Sequence, residues 1–164
     1  MPVQIDQNVE QVAMREHGLL GRGGGMGNSL FAIDYDQLPL EARSTIQLII
    51  AGGPFPYPQD NTEFRNNFQD LPNGQYREFT VVTPGSHNRG ARRIIARQNG
   101  NLFFTACHYE RVQGRMTNDE RVAQTEAVDA QWRNGFYLVT GMSIDLRNSI
   151  RDALQNLPVR SRGR

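Results

Sequence analysis

Tyr76-Arg77-Glu78-Phe79-Thr80-Val81-Val82-Thr83-Pro84-Gly85 reads as a β-strand running into a turn. Phe79 and Val81 alternate with Glu78, Thr80 and Val82, the period of a strand with one apolar face, and Thr83-Pro84-Gly85 ends it. Outward from this stretch, Arg92 to Arg97 makes a second strand, Asn99-Gly100 a tight turn, and Leu102 to Thr105 a third strand. Short strands joined by short loops predict an antiparallel sheet between Tyr76 and about Val112.

Upstream, Leu38-Pro39-Leu40-Glu41 opens a helix that runs to about Ile50. Proline suits a first helical turn, and Ala42, Ile46, Ile49 and Ile50 line one apolar face. Gly52-Gly53-Pro54 stops the helix, and a loop rich in Pro, Asp and Asn follows from Phe55 to Gly74. Such a loop is too long for a simple connection, which marks it as functional. The expected fold class is α+β: one N-terminal helix packed on a short antiparallel β-sheet, with extra C-terminal helices.

The flanks differ in character. Residues 1–35 read as a leader and glycine-rich linker, because Gly18, Gly21, Gly23-Gly24-Gly25 and Gly27 cost too much backbone entropy for a regular element. Residues 36–112 form the expected α+β domain, and 113–164 an appended helical extension with a basic tail. Within that extension Asn118 to about Trp132 and Ser143 to about Leu157 read as helices capped by Asn118 and Ser143. Gly135 and Gly141 bracket the short apolar run Phe136-Tyr137-Leu138-Val139 between them. The tail Arg160-Ser161-Arg162-Gly163-Arg164 reads as solvated, although it could touch RNA.

Composition narrows the chemistry. The formal net charge over 164 residues is +1, so no global field drives binding to a polyanion. All 18 basic residues counted as Lys or Arg are arginine. Guanidinium groups bind phosphate in a bidentate manner and stay charged, although a GC-rich coding bias gives the same composition. Cys107 is the single cysteine, which excludes an intramolecular disulfide and a thiolate metal cage. No stretch is long and apolar enough to span a bilayer, and Met1 to Asp6 lacks the pattern of a secretory signal. The sequence therefore predicts a soluble chain with no membrane contact. The compartment stays open: intracellular, or exported as the end of a larger effector.

Glu78, Arg89, Arg92, Arg93 and His108 supply a carboxylate, a guanidinium cluster and an imidazole within 31 positions. A carboxylate can accept a proton, an imidazole can donate one, and arginines can hold a phosphate between them. That set suffices for general acid–base cleavage of RNA by its own 2′-hydroxyl, with neither metal nor cofactor. Taken singly, each residue is ordinary: a glutamate on a strand faces solvent, an Arg-Arg pair is solvated, and a histidine is a surface or core residue. Only their joint pattern points to a site. His17 and His87 fall outside it.

The series Leu38-Pro39-Leu40-Glu41-Ala42, Gly53-Pro54-Phe55-Pro56-Tyr57, Phe64-Arg65-Asn66, Leu71-Pro72, Tyr76 to Val81, Thr83-Pro84-Gly85, Arg89 to Ile95 and His108-Tyr109 resembles the microbial guanyl-specific, barnase-like ribonucleases. Within that family it is most similar to the small secreted actinobacterial members. The resemblance covers about 36–112 and has no counterpart for the two arms. It implies Glu78 as the general base toward the 2′-hydroxyl and His108 as the general acid toward the leaving 5′-oxygen. It implies Arg89 and Arg93 as the phosphate-holding pair, with Gln59 as an auxiliary group near the phosphate. A base that must be ionised and an acid that must be protonated give a bell-shaped pH profile.

The base-reading loop departs from the pattern. The family has Phe-x-Asn-x-Glu before Leu-Pro, whereas this chain reads Phe64-Arg65-Asn66-Asn67-Phe68-Gln69-Asp70-Leu71-Pro72. The resemblance implies that Phe64 stacks on a base and that the backbone amides of Arg65, Asn66 and Asn67 meet it, with Tyr109 on the substrate side. Phe68 stands where the hydrogen-bond acceptor for guanine belongs. Sites built on hydrogen bonds discriminate far better than sites built on shape, so relaxed or altered base preference is expected. The expected function is a metal-independent endoribonuclease acting on single-stranded RNA and leaving 2′,3′-cyclic phosphate ends. The expected biology is an antibacterial toxin domain with an acidic immunity or inhibitor protein facing Arg89, Arg92 and Arg93. The competing readings are a non-catalytic RNA-binding module on the same fold, and a scaffold whose interaction surface is 113–164.

Overall fold

The computed structural model describes residues 31–67, 71–106 and 135–161. Their strands are β1 (Phe31–Asp34), β2 (Thr62–Phe64), β3 (Tyr76–Thr80), β4 (Arg93–Arg97), β5 (Leu102–Thr105) and β6 (Phe136–Thr140). They join one sheet in the order β1-β6-β5-β4-β3-β2. The pairs from β6 through β2 are antiparallel, and β1 lies parallel to β6. The sheet is therefore mixed rather than purely antiparallel. Two α-helices accompany it, α1 (Leu40–Ala51) and α2 (Ile144–Asn156).

Alternation along the strands sorts the side chains onto two faces. On one face Phe79, Ile94, Phe104, Tyr137 and Val139 pack with Ala42, Ile46 and Ile49 of α1 and Ile150 and Leu154 of α2. Burying each large apolar side chain there contributes about 1.5–3 kcal/mol. On the other face Tyr76, Ile95, Phe103, Phe136 and Leu138 form a smaller cluster with Leu71. Beyond that cluster the same face turns polar, with Glu78, Thr80, Arg93 and Thr105 all buried. Both helices sit behind the sheet, so the polar end of the front face is left to the loops.

Local chemistry sets the element ends. Pro39 is the N-cap of α1, and Gly52 closes it in the left-handed region at φ 78°. Ser143 caps α2, its Oγ accepting from the Leu146 amide at 3.0 Å. Asn99-Gly100 turns between β4 and β5 with Gly100 at φ 97°.

Three segments fold differently from their reading in the sequence. Phe31–Asp34, the end of the expected linker, is a strand, because Tyr137 to Thr140 offer it a parallel partner. The loop from Phe55 to Gly74 contains β2, too short to show a period of its own but paired with β3 from Thr62–Glu78 to Phe64–Tyr76. Phe136–Thr140, part of the expected extension, is an interior strand between β1 and β5, and α2 shares the core of α1. The expected helix at 118–132, Cys107 and His17 lie outside the described residues.

Arg77 ties the C-terminal helix to the sheet. It points to the helix face of β3 and is 7% exposed. Its Nη2 donates to the Leu154 carbonyl at 2.6 Å and to Gln98 Oε1 at 3.3 Å. Its Nη1 donates to Asn61 Oδ1 at 3.1 Å and to the Leu157 carbonyl. A cation at the negative end of α2 thus satisfies carbonyls that the helix leaves open. Burial holds the guanidinium below its ordinary pKa, but an arginine stays charged at any working pH. Arg77→Met is expected to lower the unfolding free energy by about 3 kcal/mol, since charge-assisted hydrogen bonds are lost and carbonyls are orphaned. Urea denaturation followed by circular dichroism measures it; an unchanged midpoint would contradict the tether.

Candidate active site

Glu78 sits mid-strand in β3, between Thr62 of β2 and Ile95 of β4. The residue is 4% exposed. Oε1 accepts from Thr62 Oγ1 at 3.3 Å. Oε2 lies 3.4 Å from Arg89 Nη2 and 3.9 Å from Arg93 Nε. Two guanidinium groups therefore converge on one carboxylate oxygen. Buried charges are tolerated only when paired in this way.

Arg93 enters from the first position of β4 and is 2% exposed. Its Nη1 donates to the Gly90 and Arg92 carbonyls at 2.9 and 2.7 Å, which fixes the plane of the guanidinium. Arg89 comes from the loop before β4. Its Nε donates to Thr80 Oγ1 at 2.6 Å, and its Nη2 is 3.7 Å from Asp60 Oδ1. At 19% side-chain exposure it is the more open of the two arginines. Arg92, one residue before Arg93, points the opposite way and meets Glu41 of α1 at 3.6 Å. With its side chain 4% exposed, Arg92 belongs to the helix contact and not to a partner-facing surface.

The Arg89 loop depends on Gly90. That residue has φ +69°, and a Cβ there would lie 2.3 Å from Thr83 Oγ1. Asn88 Oδ1 accepts from the Gly90 amide and from Ser86 Oγ, both at 2.8 Å. His87 is exposed in the same loop.

Asp60, Thr62 and Thr80 carry weight that no local pattern signals. Asp60 is 1% exposed. Its Oδ1 accepts from the Thr80 amide at 2.7 Å and its Oδ2 from the Tyr57 amide at 3.0 Å. It thus pins the loop Tyr57–Asn61 to β3 and adds negative charge beside Arg89. Aspartate in a loop rich in Pro and Asn reads only as a turn former. Gln59 is exposed, and its carbonyl accepts from Thr62 Oγ1 at 2.7 Å. The backbone of that residue, rather than its amide, is the part seen to touch the site.

Of the loop from Phe64 to Pro72, expected to read a base, the part from Phe64 to Asn67 and from Leu71 on is described. Phe64 is half-buried, edge-on to Tyr76 at 6.4 Å and to Phe136 at 6.1 Å. Arg65 is exposed and 3.8 Å from Glu63. Asn66 takes the left-handed conformation at φ 50°. Its side chain bridges the loop, Oδ1 accepting from the Leu71 amide at 3.1 Å and Nδ2 donating to the Leu71 carbonyl at 2.7 Å. Phe68, His108 and Tyr109 lie outside the described residues. Among the described residues no cluster of His, Cys, Asp and Glu could hold a metal ion, and no helix is long and apolar enough to cross a membrane.

A model of the ribonuclease family matches residues 26–116. Guanyl-specific ribonuclease St of Saccharopolyspora erythraea is 49% identical over 76 residues, covering 44% of this chain and 75% of that protein. Guanyl-specific ribonuclease Sa3 of Kitasatospora aureofaciens is 51% identical over 79 residues, or 46% of this chain and 56% of that protein. Ribonuclease Sa2, solved in complexes with mononucleotides, superimposes with a TM-score of 0.51 at 31% identity, covering 68% of this chain and 94% of that one.

Gly90→Ala is expected to destabilise the fold by about 2 kcal/mol, because it combines an unfavourable left-handed alanine with a steric clash. The shift of the thermal midpoint measures it, and a wild-type midpoint would show that the loop adapts freely.

Proposed function

Because this chain belongs to the ribonuclease family, we propose that it cleaves RNA at the Glu78 cluster by general acid–base catalysis. The observation that carries this reading is the convergence of Arg89 and Arg93 on one oxygen of the Glu78 carboxylate. Glu78 takes the proton of the ribose 2′-hydroxyl as that oxygen attacks phosphorus. The new O2′–P bond forms, the P–O5′ bond breaks, and His108 gives a proton to the departing 5′-oxygen. The products are a 2′,3′-cyclic phosphate and a free 5′-hydroxyl.

The arginines serve twice. Before the reaction they flank the buried Glu78 side chain and hold it in one orientation, at 3.4 and 3.9 Å from Oε2. During it they face the charge that builds on the non-bridging phosphate oxygens. Thr62 and Thr80 hold the carboxylate and the Arg89 guanidinium in place, which limits reorganisation at the moment of reaction. Arginine suits the task better than lysine, since its planar fork keeps contacts to both the protein and the phosphate.

Base preference is a separate matter. The curated relatives are guanyl-specific by name. Phe68 occupies the position of the family's guanine acceptor, and phenylalanine offers no hydrogen bond. An aromatic face accepts any of the four bases, which supports relaxed preference here. Arg89, the more open of the two arginines, is the group an acidic inhibitor or immunity protein would engage, and a toxin role for the domain rests on that same surface.

Glu78→Gln and His108→Ala are each expected to lower kcat/KM on RNA by about 100-fold or more, with EDTA present throughout. The wild-type pH profile is bell-shaped; Glu78→Gln flattens its acid limb and His108→Ala its alkaline limb. Wild-type activity in both variants would end this assignment. Among GpN, ApN, CpN and UpN dinucleotides, wild type should show less than about tenfold preference, and Phe68→Glu should raise GpN over the rest by about 100-fold or more. A strong GpN preference in the wild type would refute the proposed role of Phe68.

A further inference from the structure

The chain continues beyond the family match, and its last described residues return to the sheet. After α2, the Pro158 carbonyl accepts from Asn61 Nδ2 at 2.8 Å, and the Arg160 amide donates to the Asn61 carbonyl at 2.9 Å. Arg160 bridges Thr62 in parallel register, so the tail lies along the free edge of β2. Thr62 is the residue that hydrogen-bonds Glu78. Two strand spacings, roughly 10 Å, therefore separate the tail from the carboxylate.

A groove of about 460 Å³ opens along this edge, lined by Glu63, Arg65, Val159, Arg160 and Ser161. Glu63 and Arg65 alternate with Thr62 and Phe64, so the groove lies around the edge of β2 from Glu78, next to the base-reading loop. Two exposed guanidinium groups against one carboxylate leave it net positive. Val159, at 49% exposure, provides an apolar wall, and the Ser161 hydroxyl is a further donor. A cation pair, a hydroxyl and an apolar wall match the phosphodiester and ribose of a nucleotide.

We infer that this groove is an auxiliary subsite for RNA, binding the phosphate of a nucleotide that flanks the cleaved bond on substrates longer than a dinucleotide. The inference rests on Glu78 marking the cleavage site. It assigns a function to Arg160 and the residues beside it, which lie beyond the family match at 26–116.

Arg160→Ala and Arg160→Glu keep the backbone amide that holds the tail, so fold and subsite can be tested apart. On a hexanucleotide, kcat/KM is expected to fall about threefold in Arg160→Ala and about tenfold in Arg160→Glu, and the Arg160→Ala salt dependence to flatten by about 0.7 in log–log slope. Dinucleotide cleavage and the thermal midpoint stay at wild-type values. Affinity for a 2′-deoxy hexanucleotide, which cannot be cleaved, falls in parallel, so the subsite is read even if Glu78→Gln shows cleavage to occur elsewhere. Equal losses on hexanucleotide and dinucleotide would overturn the inference in favour of a structural role for Arg160. Unchanged binding and cleavage of both would overturn it in favour of a protein partner in the groove.

Discussion

One strand carries two incompatible demands, and its two-residue period reconciles them. Along β3, Arg77 and Phe79 face the helices, while Glu78 and Thr80 face the front of the sheet. A register slip of one residue would send the helix-capping cation into the site and the site's carboxylate into the apolar core. The pairing of Glu78 with Ile95 and of Phe79 with Ile94 fixes that register across the next strand. The site and the core thus stand or fall on the same hydrogen-bond ladder.

Charge placed at the front face is costly unless it is internally balanced. Glu78 and Arg93 are almost fully buried, and the protein answers each with more than one partner. Asp60 extends the balance by one shell, joining the loop backbone to β3 and facing Arg89. Preorganised charge of this kind has already lost its water before a substrate arrives. The electrostatic work of the site is done when the chain folds.

The sequence made the central hairpins legible because Phe79, Val81, Ile94, Ile95, Phe103 and Phe104 alternate or run together between clear turn signals. It also singled out Glu78, Arg89 and Arg93, whose types and order form a recognisable set and whose side chains the fold brings together. It did not reveal β1 or β2. Each is three or four residues long and owes its existence to a partner strand, which no local pattern encodes. Phe136–Thr140 looked like an isolated apolar run for the same reason: its neighbours β5 and β1 are distant in sequence. Arg77, Asp60 and Thr80 were invisible as working residues because their roles depend on contacts made across the fold.

β1 pairs with β6 across a separation of about one hundred positions, and Arg77 reaches carbonyls at the end of α2. The strands that carry Glu78 and Arg93 are, by contrast, neighbours in sequence. Loop-closure entropy makes local pairings form first and distant ones last. On a ribosome, where the chain emerges from its N-terminus, the hairpins of the site are available well before the strand and helix that complete the core. The segment beyond residue 135 therefore sets the order of events: the scaffold around the buried charges closes only after that segment has joined the sheet.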